Sequence, residues 1–392
     1  MQILYLSHCV PNPPDKGEKI RAYHVLKHLS RTHAVRVVCF ARSEAEVAAA
    51  QELQATCSSV YVERLRPAVA LTRAAVRFGA GSCLTLSYYE SAGMKAYVDS
   101  LPRPEVTVAY STAMAQYAPE GVPLLLDMTD VDSEKWFGYA RTRRFGWVYA
   151  MEGRRLRSKE TEWARRAKAT TVVTEAEAAL LRSIVPDATI RCSGNGVDFD
   201  TFDPERTPRL PELEGRRFLV FLGAMGYHPN VDGVCWFAKE VFPELRRRNP
   251  GLEFLIVGRD PARAVRRLSE QAGVSVVGTV PDVRPYLAGS LAVVAPLRIA
   301  RGVQNKVLEA LAMGKRVMAS TAVCETFGGN LPDGLVRCES TAEYAGYDGA
   351  PADGPIRRRA SQQFRWERSL ETISLELSKI RGRWNPGVRK WD

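Results

Sequence analysis

Two doubly wound α/β domains are what this sequence predicts, and three observations carry the expectation. Short apolar runs recur at the spacing of strands separated by helices. The runs fall into two series. A stretch without periodicity, rich in proline and acid, divides the series. Strands alternating with helices at this spacing build a parallel sheet covered on both faces. The length, 392 residues, also exceeds the roughly 250–300 residues that one core holds.

The first series opens with "QILYLS" at 2–7. A loop rich in Pro, Gly and Lys comes next, then an amphipathic helix at 18–31. "AVRVVCF" is the next strand and a helix follows it. The alternation continues through "EVTVAY" (105–110), "PLLLDM" (123–128) and "ATTVVT" (169–174). The second series runs through "RRFLVFLG" (216–223), "LEFLIVG" (252–258), "VSVVG" (274–278), "LAVVAP" (291–296) and "RVMAS" (316–320). The divider, 197–215, reads "VDFDTFDPERTPRLPELEG" and is expected to be a linker. The expected domains are therefore 1–196 and 216–366, two Rossmann-like domains facing a cleft. In open α/β sheets a ligand sits at the carboxyl ends of the strands.

Hydrophobic residues make up 45% and charged residues 25% of the chain, ordinary globular usage that argues against long disorder. The formal net charge of +11 calls for an anionic partner. The eight cysteines form no CxxC pair and several lie in apolar runs. They read as reduced, buried side chains of a cytoplasmic protein. The start, "MQILYLSHCVPNPPDKG", has no basic region and too short an apolar run for a signal peptide. No run approaches 18 apolar residues, so no membrane span is expected.

The stretch 141–168 is helical in character, strongly basic, and carries Trp147, Tyr149 and Trp163. It reads either as a solvated helix packed through its aromatics or as a face for anionic lipid headgroups.

The stretch "RGVQNKVLEALAMGKRV" (301–317) holds a carboxylate in the middle of a buried-looking helix. At 100° per residue, Gly302, Asn305, Lys306 and Glu309 share a side opposite Leu308 and Leu311. With Gly302 at the helix start, the free N–H groups and partial positive charge there suit an anion. Lys306 adds a full charge one turn in. Glu309, a further turn along, can accept two hydrogen bonds from a vicinal diol. Phosphates at the tip and ribose along the side describe a nucleoside diphosphate. The structural alternative is an exposed charged stripe with an i,i+3 Lys–Glu pair.

These residues carry a resemblance. Lys306, Glu309, Ala310, Leu311, Ala312, Gly314 and Val317, with Arg316 where Pro is usual, resemble the donor-binding helix of the retaining GT-B glycosyltransferases of family 4 (group 1). "PPDKGEKIRAYHVLKHLS" (13–30) looks like the family's first glycine loop and helix. "NGVD" (195–198) looks like its domain boundary and "FLGAMGYHPNVDGVCWF" (221–237) like the start of its nucleotide domain. "IVGRDP" (256–261) and "GTVPDVRPYL" (278–287) fall where its later loops belong, which places Arg259 and Val280 on the donor side. "FRWE" (364–367) precedes a last helix, 367–382, that in this family crosses back to the first domain. The chain is most similar to the sugar transferases of exopolysaccharide loci that accompany exosortase-type sorting.

Two departures touch the donor. Many members carry Glu eight residues before the ribose Glu, where this chain has Arg301. The usual Arg and Lys after the first strand of the nucleotide domain are absent, and the loop offers His228 and Asn230 instead. Arg301 would replace the missing phosphate charge.

Asp130 and Asp132 form a bare DxD, as do Asp198 and Asp200. The doubly wound pattern argues against the fold in which that motif holds a metal. Asp130 or Asp132 would orient an acceptor hydroxyl, the alternative being a helix cap at Asp132 or Ser133. His24 and His28 lack a third zinc ligand nearby. The sequence lacks the P-loop, α/β-hydrolase and zincin motifs, a glycine fingerprint after the first strand, and any RNA-binding signature.

The residues and the resemblance together imply a cytoplasmic, metal-independent, retaining glycosyltransferase that needs no cofactor and no nucleic acid. It would move a sugar from a nucleoside-diphosphate sugar to a glycan or polyprenyl-linked acceptor in exopolysaccharide biosynthesis, with peripheral contact at the inner face of the membrane through 141–168. Lys306 and the helix tip would stabilise the departing diphosphate, the Gly17 backbone and Arg21 would add to this from the first domain, and the Lys16–Gly17 loop with Asp130 would present the acceptor. Two rivals are a non-catalytic GT-B scaffold that binds nucleotide or glycan, and a GT-B sugar-nucleotide 2-epimerase.

Overall fold

The computed structural model of the chain describes residues 1–300, 302–346 and 355–383. They divide into two units, one made of 1–194 with the segment from 370 onward, the other of 195–369.

The first unit is built on β1 (Gln2–Ser7), β2 (Ala34–Ala41), β3 (Ser59–Arg64), β4 (Val106–Tyr110), β5 (Leu124–Thr129), β6 (Ala169–Val172) and β7 (Ile190–Cys192). They form one sheet in the order β3-β2-β1-β4-β5-β6-β7, every pair parallel. All five residues of β4 are buried. A strand covered on both faces reads as an unbroken apolar run, which is why "VTVAY" stands out in the sequence. The helices of this unit include α1 (Gly17–Ser30), α2 (Pro67–Gly79), α3 (Asp132–Thr142) and α4 (Gly146–Arg166). α1 buries Ala22, Val25, Leu26 and Leu29, an i, i+3, i+4, i+7 stripe that seats it on the sheet.

The second unit holds β8 (Arg217–Leu222), β9 (Leu252–Val257), β10 (Val274–Gly278), β11 (Ala292–Ala295), β12 (Val317–Ala319) and β13 (Leu335–Arg337). Their order is β10-β9-β8-β11-β12-β13, again all parallel. Among its helices are α5 (His228–Trp236) and α6 (Asn305–Ala312). The last described helix, α7 (Glu371–Arg383), belongs to the first unit. In each sheet the winding reverses once, between β1 and β4 and between β8 and β11. The carboxyl ends of those pairs are where such sheets bind ligands.

The structure revises several expectations. β3, β7 and β13 were not expected, and all three are edge strands. β3 is only partly buried along its length, so it carries no apolar run. Residues 197–215 are no free linker. They lie inside the second unit, where Val197, Phe199 and Leu213 are buried in its core. The basic stretch 141–168 is not one helix either. α3 ends at Thr142, the chain turns through Phe145 at φ +62, and α4 begins at Gly146. A side chain at 146 would put its Cβ 2.2 Å from the Ala140 carbonyl oxygen, so this tight helical hairpin requires glycine.

Candidate functional site

Three strand ends of the second sheet build a small polar cradle. β8 runs into Gly223 and β9 into Gly258, whose N–H donates to the Gly278 carbonyl at 2.8 Å. A Cβ at Gly258 would lie 1.7 Å from the Gly223 carbonyl oxygen, so the two backbones meet only because Gly258 has no side chain. The loop after Gly223 is pinned to the next one by Met225 N–H donating to Arg259 O at 2.8 Å. This places Arg259 beside the Gly223 loop. Val280, beyond β10, packs against the apolar core of the unit.

Lys306 and Asn230 complete the cradle. The Lys306 ammonium donates to Asn230 Oδ1 at 2.8 Å and sits 4.2 Å from the centroid of the Phe221 ring. Asn230 Nδ2 in turn donates to the Ala224 carbonyl at 3.0 Å. A Cβ at Gly223 would lie 2.7 Å from Asn230 Nδ2 and 3.1 Å from Lys306 Nζ. Lys306 is 9% exposed and Asn230 6%. Burial pulls the Lys306 ammonium down to about 7, with the Glu309 carboxylate acting against the shift. Burial likewise pushes the Glu309 carboxyl up to about 7, with Lys306 opposing it. No salt bridge joins the two residues, and no hydrogen bond occupies the Glu309 carboxylate among the described residues. The exposed stripe with a Lys–Glu pair is therefore not what forms. The site instead keeps a cation and a carboxylate whose charged forms burial disfavours, and a ligand with an anion and paired hydroxyls would restore both.

The helix tip differs from expectation. α6 begins at Asn305, with Gln304 as its N-cap. Gly302 lies before the helix in a loop at φ +62, and its carbonyl accepts from Gln304 Nε2 at 3.3 Å. Asn305 accepts a hydrogen bond from Asn195 Nδ2 at 3.3 Å. His228 is exposed at the first position of α5. Arg301 lies outside the described residues.

In the first unit, Lys16 is the N-cap of α1 and Gly17, exposed, is its first residue. Arg21 is a correction. Its guanidinium is buried and binds the Asp127 carboxylate twice, Nε to Oδ2 at 2.9 Å and Nη2 to Oδ1 at 3.0 Å, and it donates to Gly194 O at 3.0 Å. Such a bidentate pair fastens α1 to β5 and does not offer the guanidinium to a phosphate. Asp130 follows Thr129, which is held at φ +66, and its Oδ1 is buried without a hydrogen-bond partner. Burial raises its carboxyl to about 7, and Glu177 and Asp132 add to the shift. Asp132 is not the cap of α3. Val131 is, and Asp132 stands in the first turn.

One constellation was not anticipated from the sequence. His8 follows β1, at the reversal point of the first sheet. Its ring stacks on Tyr110 at the end of β4, with centroids 5.3 Å apart, and its Nε2 lies 3.5 Å from Glu18 Oε2. His8, with Arg42 at 3.1 Å, holds the Glu18 carboxyl down at about 2. The only sequence signal was a histidine directly after the first apolar run.

Among the described residues no group of three or more His, Cys, Asp and Glu is placed to hold a metal ion. No described helix is long and apolar enough to cross a membrane.

Residues 216–345 match the family model described as Glycosyl transferases group 1. That span lies within the second unit and contains Asn230, Lys306 and Glu309. Among solved structures the chain is similar to sucrose-phosphate synthase from Thermosynechococcus elongatus, at 14% identity and TM-score 0.68, covering 97% of this chain and 100% of that one. It is similar to Anabaena Alr3699/HepE in complex with UDP and glucose, at 15% identity and TM-score 0.64, covering 97% and 100%; that protein is also known in complex with UDP-glucose. It is similar to the lipopolysaccharide outer core galactosyltransferase WaaB, at 11% identity and TM-score 0.57, covering 97% and 99%. These likenesses establish the expected GT-B fold class. A comparison with curated proteins finds no match.

Proposed function

We propose that the chain is a metal-independent, retaining glycosyltransferase of exopolysaccharide biosynthesis, acting at the inner face of the membrane on a glycan or polyprenyl-linked acceptor. The observation that carries the donor half is the buried Lys306, fixed by Asn230 over the Phe221 ring with the Glu309 carboxylate one turn along. A diphosphate would take the ammonium and a ribose diol the carboxylate. Because a similar fold is known with UDP and UDP-glucose bound, a uridine-diphosphate sugar is the first donor to test. Charge builds on the departing diphosphate, and a preorganised cation aimed at it is the principal catalytic device. Retention rests on the family resemblance. In front-face attack the leaving phosphate takes the acceptor proton and no side chain is an obligatory base.

The test is calorimetry with UDP on Glu309→Gln. A carboxylate holding two hydroxyls makes charge-assisted bonds of about 1.5–3 kcal/mol each, so affinity should fall at least tenfold in a folded variant. Unchanged affinity would remove the ribose role.

The His8–Glu18 pair favours a second reading, inversion. An imidazole beside an ionised carboxylate at the reversal point of the first sheet is the arrangement of a general base for an acceptor hydroxyl. NMR of the anomeric configuration of the first-formed product decides. An inverted product that disappears with His8→Ala would replace the retaining mechanism.

Membrane contact is proposed for the α3–α4 tip. Phe145 and Trp147 are 61% and 64% exposed there, with Arg141, Arg143 and Arg144 all exposed beside them.

A further inference from the structure

At the amino edge of the first sheet, α7 lies across the lead-ins to β5, β6 and β7 and leaves a cavity of about 650 Å³, within the size range of small-molecule sites. Four cations from four different segments line it: Arg166 at the end of α4, Lys168 before β6, Arg191 in β7 and Lys379 on α7. The lining contains one carboxylate, Glu376. It is 6% exposed and already shared between Arg191, at 3.1 Å, and Lys379, at 2.7 Å. Arg166 is fixed in place by donating to the carbonyls of Ala118 and Pro119, both at 2.9 Å. Lys168 has no hydrogen bond or ion pair for its ammonium among the described residues.

Like charges gathered around a concave wall repel unless an anion joins them, and a low-dielectric wall strengthens the field that they focus on the cavity. Nothing in the transfer chemistry needs these residues. β5 is six residues long, about 20 Å at the usual rise, and the cavity lies at its amino end while Asp130 lies at its carboxyl end.

We propose that this cavity is a second ligand site, for a molecule carrying a phosphate or diphosphate group. The group sits between Lys168 and Arg166 on the sheet side and Lys379 on α7, and its binding tightens the docking of α7 on the first unit.

Titration calorimetry of the full chain with inorganic pyrophosphate, under saturating UDP to fill the donor site, tests it. Saturable binding is expected, weakened about a hundredfold in Lys168→Ala/Lys379→Ala, or tenfold for each charge-assisted bond removed. Both lysines are more than one-third exposed, so the variant should melt as the parent does. If it does not fold, Lys168→Glu alone serves. Sedimentation with phosphatidylcholine vesicles doped with phosphatidic acid, run in an Arg141→Ala/Arg143→Ala/Arg144→Ala background that removes the α3–α4 tip's own attraction to anionic lipid, separates the sources. Vesicle binding that the double variant loses, without pyrophosphate binding in solution, assigns the group to a lipid headgroup. No saturable binding of either probe, or binding that the variants keep in full, overturns the proposal.

Discussion

Lys306 donates to Asn230 Oδ1 at 2.8 Å, from the first turn of one helix to the first turn of another. The bond fixes a buried ammonium at the reversal point of the second sheet. If that ammonium meets the diphosphate mainly as charge accumulates, its loss must lower turnover more than donor affinity. Lys306→Ala should cut kcat by roughly 10²-fold or more, the scale for one stabilising donor. Lys306→Met should do the same without lowering Tm, because a buried charge is replaced by an apolar side chain of similar length. Steady-state kinetics and melting curves check both. Unchanged turnover in the alanine variant would mean that the diphosphate lies elsewhere.

Donor affinity should be bell-shaped in pH. Diphosphate binding needs the Lys306 ammonium, which burial brings to about 7 in the free protein, so affinity falls as pH rises above that value. The diol needs the Glu309 carboxylate, which burial also brings to about 7, so affinity falls as pH drops below it. The stability of the free protein moves oppositely. Between about 7 and the usual lysine range the unfolded chain binds the extra proton, so the Lys306 contribution improves as pH rises. Between the usual glutamate range and about 7 the folded chain binds it, so the Glu309 contribution improves as pH falls. Calorimetry with UDP-glucose, whose diphosphate does not titrate there, should show the maximum near 7. Glu309→Gln should flatten the acid limb only.

The internal strands were legible because they are buried on both faces, and the donor helix because Lys306 and Glu309 keep a spacing that one helical side imposes. What the sequence hid depends on contacts between distant segments. The meeting of Gly223 with Gly258, and the Phe221 ring under Lys306, exist only once β8 and β9 are paired. His8 gains a role from Tyr110 and Glu18. Arg21 was misread because its partner, Asp127, is 106 residues away. A signal was present, since a carboxylate inside the apolar run "PLLLDM" requires a buried cation. The α6 start was misplaced because Gly302 continues the helical spacing, while its positive φ places it in the loop before the helix.

The buried Arg21–Asp127 pair makes Arg21→Ala a stability variant. Removing one member of a buried, bidentate pair leaves an uncompensated charge and costs about 3–5 kcal/mol. Thermal or urea unfolding should show the loss. UDP affinity should stay at its parental value below the melting transition, since the donor cradle is built wholly from the second unit. A stable Arg21→Ala protein with depressed turnover would restore the phosphate role that its burial argues against.

The α3–α4 tip separates a membrane-docking hairpin from an ordinary solvated one. Arg143 stacks over Tyr139 and Arg144 over Phe145, with guanidinium carbons 5.7 and 5.0 Å from the ring centroids, so charge and aromatic surface are presented together. α2 adds exposed Val69, Leu71 and Val76, and it is tied to α4 by Arg155, which donates to Phe78 O at 2.7 Å. Each arginine near an anionic surface contributes about 1 kcal/mol. Arg141→Ala/Arg143→Ala/Arg144→Ala should therefore weaken binding to anionic vesicles by roughly 10²-fold, and parental binding should fade as salt shortens the screening length. Phe145→Ser/Trp147→Ser removes apolar contact and leaves the charge, so it should weaken binding at high salt as well as low. Both variants change exposed side chains at a turn, so Tm should stay unchanged. Parental binding that is equal on neutral vesicles, or absent from both kinds, would leave the tip a solvated hairpin and the transferase proposal standing without it.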